Sequence, residues 1–208
     1  MMTFSLKIMM KEEIQTKGFV YRIIMRVVSG RFRGTRLEAV NGDKTRPTTD
    51  KVKEAMFSML MPYLDGGDVL DLYAGTGGLS IEAVSRGMTH ATLVDRQFQA
   101  IKVIQENIEK THHADEFTIL KSPAQQALLN FVVNSKKFDL IFLDPPYAKE
   151  TIAADMSFMA ENGLLNSGAI ILAESNDEAN LPNESDDFSI IQQKHYGITV
   201  VTIYQYEG

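Results

Sequence analysis

The stretch IFLDPPYAKE, residues 141–150, ends an apolar run in an aspartate, two prolines and a tyrosine. Pro145 and Pro146 each remove a backbone donor and fix φ, and a proline at 145 pushes Asp144 out of helical geometry. A buried strand thus stops in a rigid turn that holds out a carboxylate and an aromatic ring, more than a plain turn requires. A second constellation is VLDLYAGTGGLS, residues 69–80, where Gly75-Thr76-Gly77-Gly78 separates an apolar strand from a helix. Glycines there let the backbone approach a ligand, and the helix start offers free N–H groups; Asp71, Tyr73 and Ala74 stand beside them. Position 80 is serine, so the G-x-G-x-x-G pattern of hydride-transfer folds is broken. A third group, Asp95, lies roughly twenty residues further on, where an acid can bind the ribose hydroxyls of an adenosine cofactor. Capping the helix that follows is its alternative role, and it can serve both.

The elements that must position these groups alternate from residue 68 onward. DVLDLYAG, HATLVD, FTILK, FDLIFLD and GAIILAES read as strands. GLSIEAVSRG, RQFQAIKVIQENIEK, PAQQALLNFVV and TIAADMSFMAEN read as helices, with Gly87 stopping the first and Pro123 in the first turn of the third. Strands alternating with helices of this length predict βαβ units and a parallel sheet. The unbroken apolar character of LIFL and AIIL fits strands covered on both faces. After residue 175, DFSIIQQKHYG and ITVVTIYQYEG predict two antiparallel strands joined at Gly197. Before residue 68, MRVVSGRFRGTRLEAV predicts a hairpin, and TTDKVKEAMFSMLMPYL a helix capped by Thr49 or Asp50. In an α/β sheet of this kind the glycine turn after the first strand and the DPPY turn after the fourth face one crevice.

The 208 residues suit one domain with a small appendage. No cysteine is present, which excludes disulfides and thiolate metal sites and fits a reducing cytoplasm. No apolar run approaches the ~20 residues of a membrane span, and the four histidines show no metal-ligand spacing. The net charge of −6 conceals an asymmetry: residues 1–60 carry a balance of +6 and residues 61–208 one of −12. A basic surface beside an acidic body follows. Residues 1–24 lack the apolar core and cleavage site of a signal peptide. They are expected to be an upstream-start extension or a poorly ordered tail, with Met25 as the natural start. The expected organisation is 1–24 extension, 25–64 basic hairpin and helix, and 65–208 ligand-binding domain.

Together, the glycine turn, Asp95 and Asp144-Pro145-Pro146-Tyr147 resemble the class I S-adenosylmethionine-dependent methyltransferases. That resemblance implies a Rossmann-like α/β fold with a seven-stranded, mostly parallel sheet, an antiparallel last strand and a small N-terminal hairpin-plus-helix extension. The [D/N]-P-P-Y motif resembles that of enzymes that methylate an amino nitrogen conjugated to a planar group. Such a nitrogen is a poor nucleophile. A carboxylate and a fixed carbonyl that accept its two N–H bonds favour pyramidal geometry and stabilise developing positive charge, while an aromatic ring stacks on the base. The first part of the chain narrows the match. Met25, Arg26, Val27, Gly30, Arg33, Gly34 and Leu37, then Arg46, Pro47, Thr48, Asp50, Val52, Lys53, Glu54, Ala55, Phe57 and Leu60, resemble the hairpin and RPT-helix of the bacterial 16S rRNA (guanine-N2)-methyltransferase family.

The resemblance runs from Met25 to Tyr206. It implies catalysis by Asp144, Pro145, Pro146 and Tyr147. It implies an S-adenosylmethionine site at Asp71, Tyr73, Ala74, Gly75, Gly77, Asp95, Arg96, Ser122 and Asp144, with no metal. RNA contacts are expected from Arg26, Arg31, Arg33, Arg36, Arg46, Thr48 and Lys51, since phosphate binding needs fixed positive charge. The partner would be 16S rRNA within an assembled or partly assembled small ribosomal subunit, met by a monomer in the cytoplasm. The family often places an acidic residue after the third strand against the adenine; here Ser122-Pro123 stands there. Rival readings are a DNA adenine-N6 or protein glutamine methyltransferase, an idle ribosome assembly factor, and a nucleotide-dependent oxidoreductase. Asp rather than Asn at 144, the intact motifs and the broken glycine pattern argue against these in turn.

Overall fold

A computed structural model describes residues 25–40, 50–145, 148–176, 181–182, 185–197 and 199–208. Strands β1 (Met25–Arg26) and β2 (Arg36–Leu37) form a small antiparallel ribbon. Helix α1 (Asp50–Leu60) follows and runs into a 3-10 turn at Met61–Tyr63. Then come β3 (Asp68–Asp71), α2 (Gly78–Arg86), β4 (His90–Asp95), α3 (Phe98–Glu109), β5 (Phe117–Lys121) and α4 (Ala124–Val133). The chain continues through β6 (Phe138–Leu143), α5 (Ala148–Glu161), β7 (Leu165–Asn176), β8 (Phe188–Tyr196) and β9 (Thr199–Tyr206).

The main sheet has seven strands in the order β5-β4-β3-β6-β7-β9-β8. Pairings from β5 through β7 are parallel, and β9 lies antiparallel between β7 and β8. The chain order reverses between β3 and β6, which is the switch point where open α/β sheets bind ligands. The apolar strands are buried on both sides, and their period of two sorts consecutive residues into opposite cores. Val69, Leu140, Phe142, Ile170 and Leu172 pack with α1, α2 and α3. Leu70, Ile141, Leu143, Ile171 and Ala173 pack with α4 and α5. Phe57 of α1 is fully buried, its ring 6.1 Å from that of Phe142.

The basic ribbon is fastened to α2 by buried polar groups. Glu82 is 0% exposed. Its carboxylate accepts the Val28 and Ser29 N–H groups at 2.7 and 2.9 Å and pairs with Lys53 at 3.3 Å and Arg86 at 2.8 Å. Ser85 accepts the Phe32 N–H and donates to the Ser29 carbonyl. Gly30, at φ +81°, is required by this approach, because a Cβ there would lie 1.9 Å from the Ser85 carbonyl oxygen. Val27, Phe32 and Leu37 are buried in the same core as the sheet.

Three details differ from the sequence reading. Pro123 is the N-cap of α4, at ψ 144°, and not within its first turn. The first hairpin has only two residues in each strand, because residues 29–34 fold into turns held by bonds such as Arg33 N–H to the Gly30 carbonyl. Strand β7 begins three residues earlier than GAIILAES, with Leu165 opposite Phe138 and an irregularity before Leu140. Residues 1–24 and the cap at Thr49 lie outside the described residues, as do Arg46, Thr48, Pro146 and Tyr147.

Candidate active site

The glycine turn follows β3 and is shaped by its neighbours. Leu72 N–H donates to the Phe142 carbonyl, Ala74 N–H to that of Val94, and Gly77 N–H to that of Ala74. Gly77 sits at φ +75°, and a Cβ there would meet Leu93 at 2.9 Å. As N-cap of α2 it provides no side-chain cap, and the Gly78 N–H is met instead by the Thr76 hydroxyl at 3.3 Å. Asp95, at the end of β4, accepts the Gly75 N–H at 3.0 Å with one oxygen and the Gln97 N–H at 2.8 Å with the other. It therefore holds the turn and the start of α3, whose N-cap is Gln97. Ser122 is drawn to the same corner, its N–H donating to the Asp95 carbonyl. Arg96 is exposed beside it.

Three carboxyls share one face of the sheet at the ends of adjacent strands. Asp71 stands two residues after Val69, Asp144 two after Phe142 and Glu174 two after Leu172, so strand alternation directs all three toward the α1–α3 side. Asp71 pairs across from Phe142, and Leu143 from Ala173, which sets Asp144 beside Glu174 at the next step. Asp71 is 3% exposed and accepts the Ser80 hydroxyl at 2.8 Å. Burial pushes its carboxyl up to about 7; the Ser80 bond opposes this, and the charges of Asp144 and Asp95 add to it. Asp144 reaches solvent at the rim, yet the protein around its carboxyl removes enough water to push it up to about 6. Burial and the charge of Asp144 push Glu174 up to about 8. None of the three has an ion-pair partner among the described residues. This edge is suited to a ligand that is cationic or rich in N–H donors.

Tyr73 has a different surrounding from that expected of a cofactor contact. Its hydroxyl donates to Asp155 of α5 at 2.6 Å, and Asp155, fully buried, also accepts the Gln125 amide at 2.8 Å. The hydroxyl is thus engaged inside the fold, tying the glycine turn to the helix that follows DPPY. Ala74 and Pro145 are buried.

Among the basic residues, Arg26 and Arg36 face each other across the ribbon and are exposed, opposite in sense to the inward pair Met25 and Leu37. Arg33 is exposed nearby. Arg31 is used internally: it pairs with Glu116, donates to the Val84 carbonyl and lies over the Phe32 ring. The Lys51 side chain lies outside the described residues.

Sequence reasoning passed over Glu174 and Asn107. Glu174 carries the same signal as Asp71 and Asp144, an acid closing an apolar strand, but no motif surrounds it. Asn107 of α3 is 0% exposed. Its amide donates to the carbonyls of Thr76 and Glu38, and its oxygen accepts the Glu38 N–H at 2.7 Å. A cavity of about 280 Å³ opens at the opposite edge of the sheet, between Tyr63, Gly67, Asp139 and Gly168. Asp139 there is engaged by Asp68 N–H and Asn166.

The sequence profile of the family described as Conserved hypothetical protein 95 matches residues 25–205. YlbH of Bacillus subtilis (strain 168), a candidate rRNA methyltransferase, is 42% identical over 88% of this chain and 100% of its own length. Ribosomal RNA small subunit methyltransferase D of Escherichia coli (strain K12) is 30% identical over 88% of this chain and 91% of its own. Among solved structures, yhhF from Escherichia coli, a candidate methyltransferase, superposes with a TM-score of 0.76 at 29% identity, covering 89% of this chain and 99% of that one. The seven-stranded sheet with one antiparallel strand is the class I methyltransferase fold. The chain belongs to the Conserved hypothetical protein 95 family and is a relative of the small-subunit rRNA methyltransferase D proteins.

Proposed function

We propose that this chain is an S-adenosylmethionine-dependent methyltransferase that modifies the exocyclic N2 of a guanine in 16S rRNA. The observation that carries the reading is the placement of Asp144 at the switch point, between the glycine turn of β3 and the acid of β7. The names of the relatives supply the substrate class. When bound, S-adenosylmethionine supplies a methyl group on a positively charged sulfonium. The residues present fit such a group: Gly75 and Gly77 bring the backbone close, Asp95 borders the turn, and the carboxyls of Asp71 and Asp144, without an ion pair among the described residues, complement positive charge.

The substrate half of the site is assigned to the DPPY turn. Asp144 accepts one amino hydrogen of the base and the Pro145 carbonyl the other, which opposes conjugation of the nitrogen lone pair with the ring. Tyr147 stacks on the base. The amino group becomes acidic as it is alkylated, so no strong base is needed. Arg46 and Thr48 are assigned to contact with the RNA. Arg26, Arg33 and Arg36 meet phosphates and leave sequence reading to the docked surface. The target must be unstacked to enter, and a modest basic face suits a preassembled small subunit approached by a cytoplasmic monomer.

The test uses small ribosomal subunits from a strain lacking this gene, purified protein and methyl-labelled S-adenosylmethionine, followed by digestion to nucleosides. Label in N2-methylguanosine is the expected result. Label in another nucleoside would retain the transferase and move its target. No label on subunits or naked RNA, with cofactor bound, would overturn the reading in favour of an assembly factor.

A further inference from the structure

Glu174 has no role in the reading so far, and its surroundings call for one. It lies in the run Ile170-Ile171-Leu172-Ala173, all four buried in the cores. Its Oε2 is closed to solvent and accepts no hydrogen bond among the described residues. A carboxyl held this way is costly to the fold, since burial of an unsatisfied polar group is unfavourable by ~1–3 kcal/mol or more. An apolar side chain would serve packing better. The missing partner is therefore sought in a ligand.

The sheet order says which ligand. Strands β4 and β3 carry Asp95 and the glycine turn, β6 carries Asp144, and β7 carries Glu174 on the side of Asp144 away from the turn. The amino nitrogen is assigned to Asp144, so Glu174 faces the atoms next to it on the base. Those atoms differ among bases. In guanine two ring nitrogens flank the amino group: N1 bears a hydrogen and N3 a lone pair. In adenine and cytosine the ring nitrogen beside the amino group bears a lone pair. A carboxylate oxygen in that position attracts the N1–H of guanine and repels the lone pairs of the other two, so the ionised group supplies both attraction and rejection.

We propose that Glu174 is the base-selecting residue of this site, its free carboxyl oxygen accepting the N1–H of the target guanine while Asp144 accepts at N2. The assignment rests on the guanine-N2 reading above. The raised protonation range of Glu174 agrees with a carboxyl that lacks its partner when the site is empty.

The experiment replaces the target guanine by 2-aminopurine in reconstituted small subunits, once the labelled nucleotide is located. That base keeps the N2 amino group and has a lone pair at N1. Wild-type protein should favour guanine by about 100-fold or more in kcat/KM, in line with sites that reject a substrate lacking one hydrogen-bonding group. Glu174→Gln, whose amide can donate to a lone pair, should narrow that preference at least about tenfold. Its affinity for S-adenosylmethionine should stay within about twofold of wild type, as expected when only ground recognition of the base has changed. Equal use of the two bases by wild type would overturn the proposal without any variant. So would a Glu174→Gln protein that loses both substrates in the same proportion, or one that loses cofactor affinity. Wild-type label outside guanine N2 would overturn the function reading itself, and is scored before the base replacement is made.

Discussion

Two glutamates divide this molecule, one buried and one half-buried with a single oxygen closed to solvent. Glu82, under the basic ribbon, is surrounded by donors: two backbone amides, Lys53 and Arg86. Glu174, at the carboxyl edge of β7, keeps an oxygen with no donor among the described residues and sits beside another acid. The first glutamate is part of how the fold holds together. The second adds nothing comparable to the fold, and under the proposal above its partner is the bound base. Burial of a charged side chain thus does not by itself distinguish structure from function; the completeness of its hydrogen bonding does.

The sharpest way to break this contrast is stability. Glu82→Ala should destabilise by about 3–5 kcal/mol, because Lys53 and Arg86 would lose their buried carboxylate partner. Glu174→Gln should leave the denaturant midpoint unchanged or raise it. A Glu174→Gln protein as unstable as Glu82→Ala would erase the distinction. Next in size, Asp144→Ala should lower turnover by about 10²–10³-fold or more with cofactor affinity retained, the range for loss of a group that stabilises developing charge. Wild-type turnover should fall as pH drops through about 6, where Asp144 takes up a proton, and Asp144→Asn should lose that acidic limb.

A third test uses linkage. The folded-state pKa of Asp71 is raised from 3.8 to about 7, so the folded chain binds its proton more tightly than the unfolded chain. That contribution to stability is fully present below about 4 and is lost as pH rises toward about 7. Asp71→Asn should flatten the decline between these values by roughly 1–4 kcal/mol, read from denaturation at several pH values. The smallest effect is expected at the ribbon. Arg36→Ala should cost RNA substrate use ~1–3 kcal/mol and reduce the salt slope of binding by about one. It should not destabilise the fold, since Arg36 stands opposite Arg26, an arrangement of like charges that is itself unfavourable.

Much of this was legible in the order of residues. The unbroken apolar runs LIFL and AIIL and the helical spacing between strands set out the sheet from β3 to β7, and Gly197 marks the β8–β9 turn. Asp71 and Asp144 were legible as acids that close apolar strands, and the switch point brings them to one edge. Glu174 was passed over because it lacks the prolines and glycines that advertise a turn, although its place in the strand is equivalent. The use of Arg31 was not legible, because its partner Glu116 is 85 positions away and only the folded chain joins them. The same holds for Tyr73 and Asp155, 82 positions apart. Local pattern reports what a residue can do; tertiary contact decides what remains of that capacity.

Asn107 bonds through one short side chain to the carbonyl of Thr76 in the glycine turn and to both backbone groups of Glu38 just after the ribbon. The glycine turn and the segment after the ribbon are thereby mechanically joined, and under the proposed function binding at one would bear on the affinity of the other. By thermodynamic reciprocity, whatever factor rRNA adds to cofactor affinity, the cofactor adds to rRNA affinity. The enzyme would then load cooperatively, holding both ligands more readily than either alone. Asn107→Ala should bring that factor close to one while each ligand still binds.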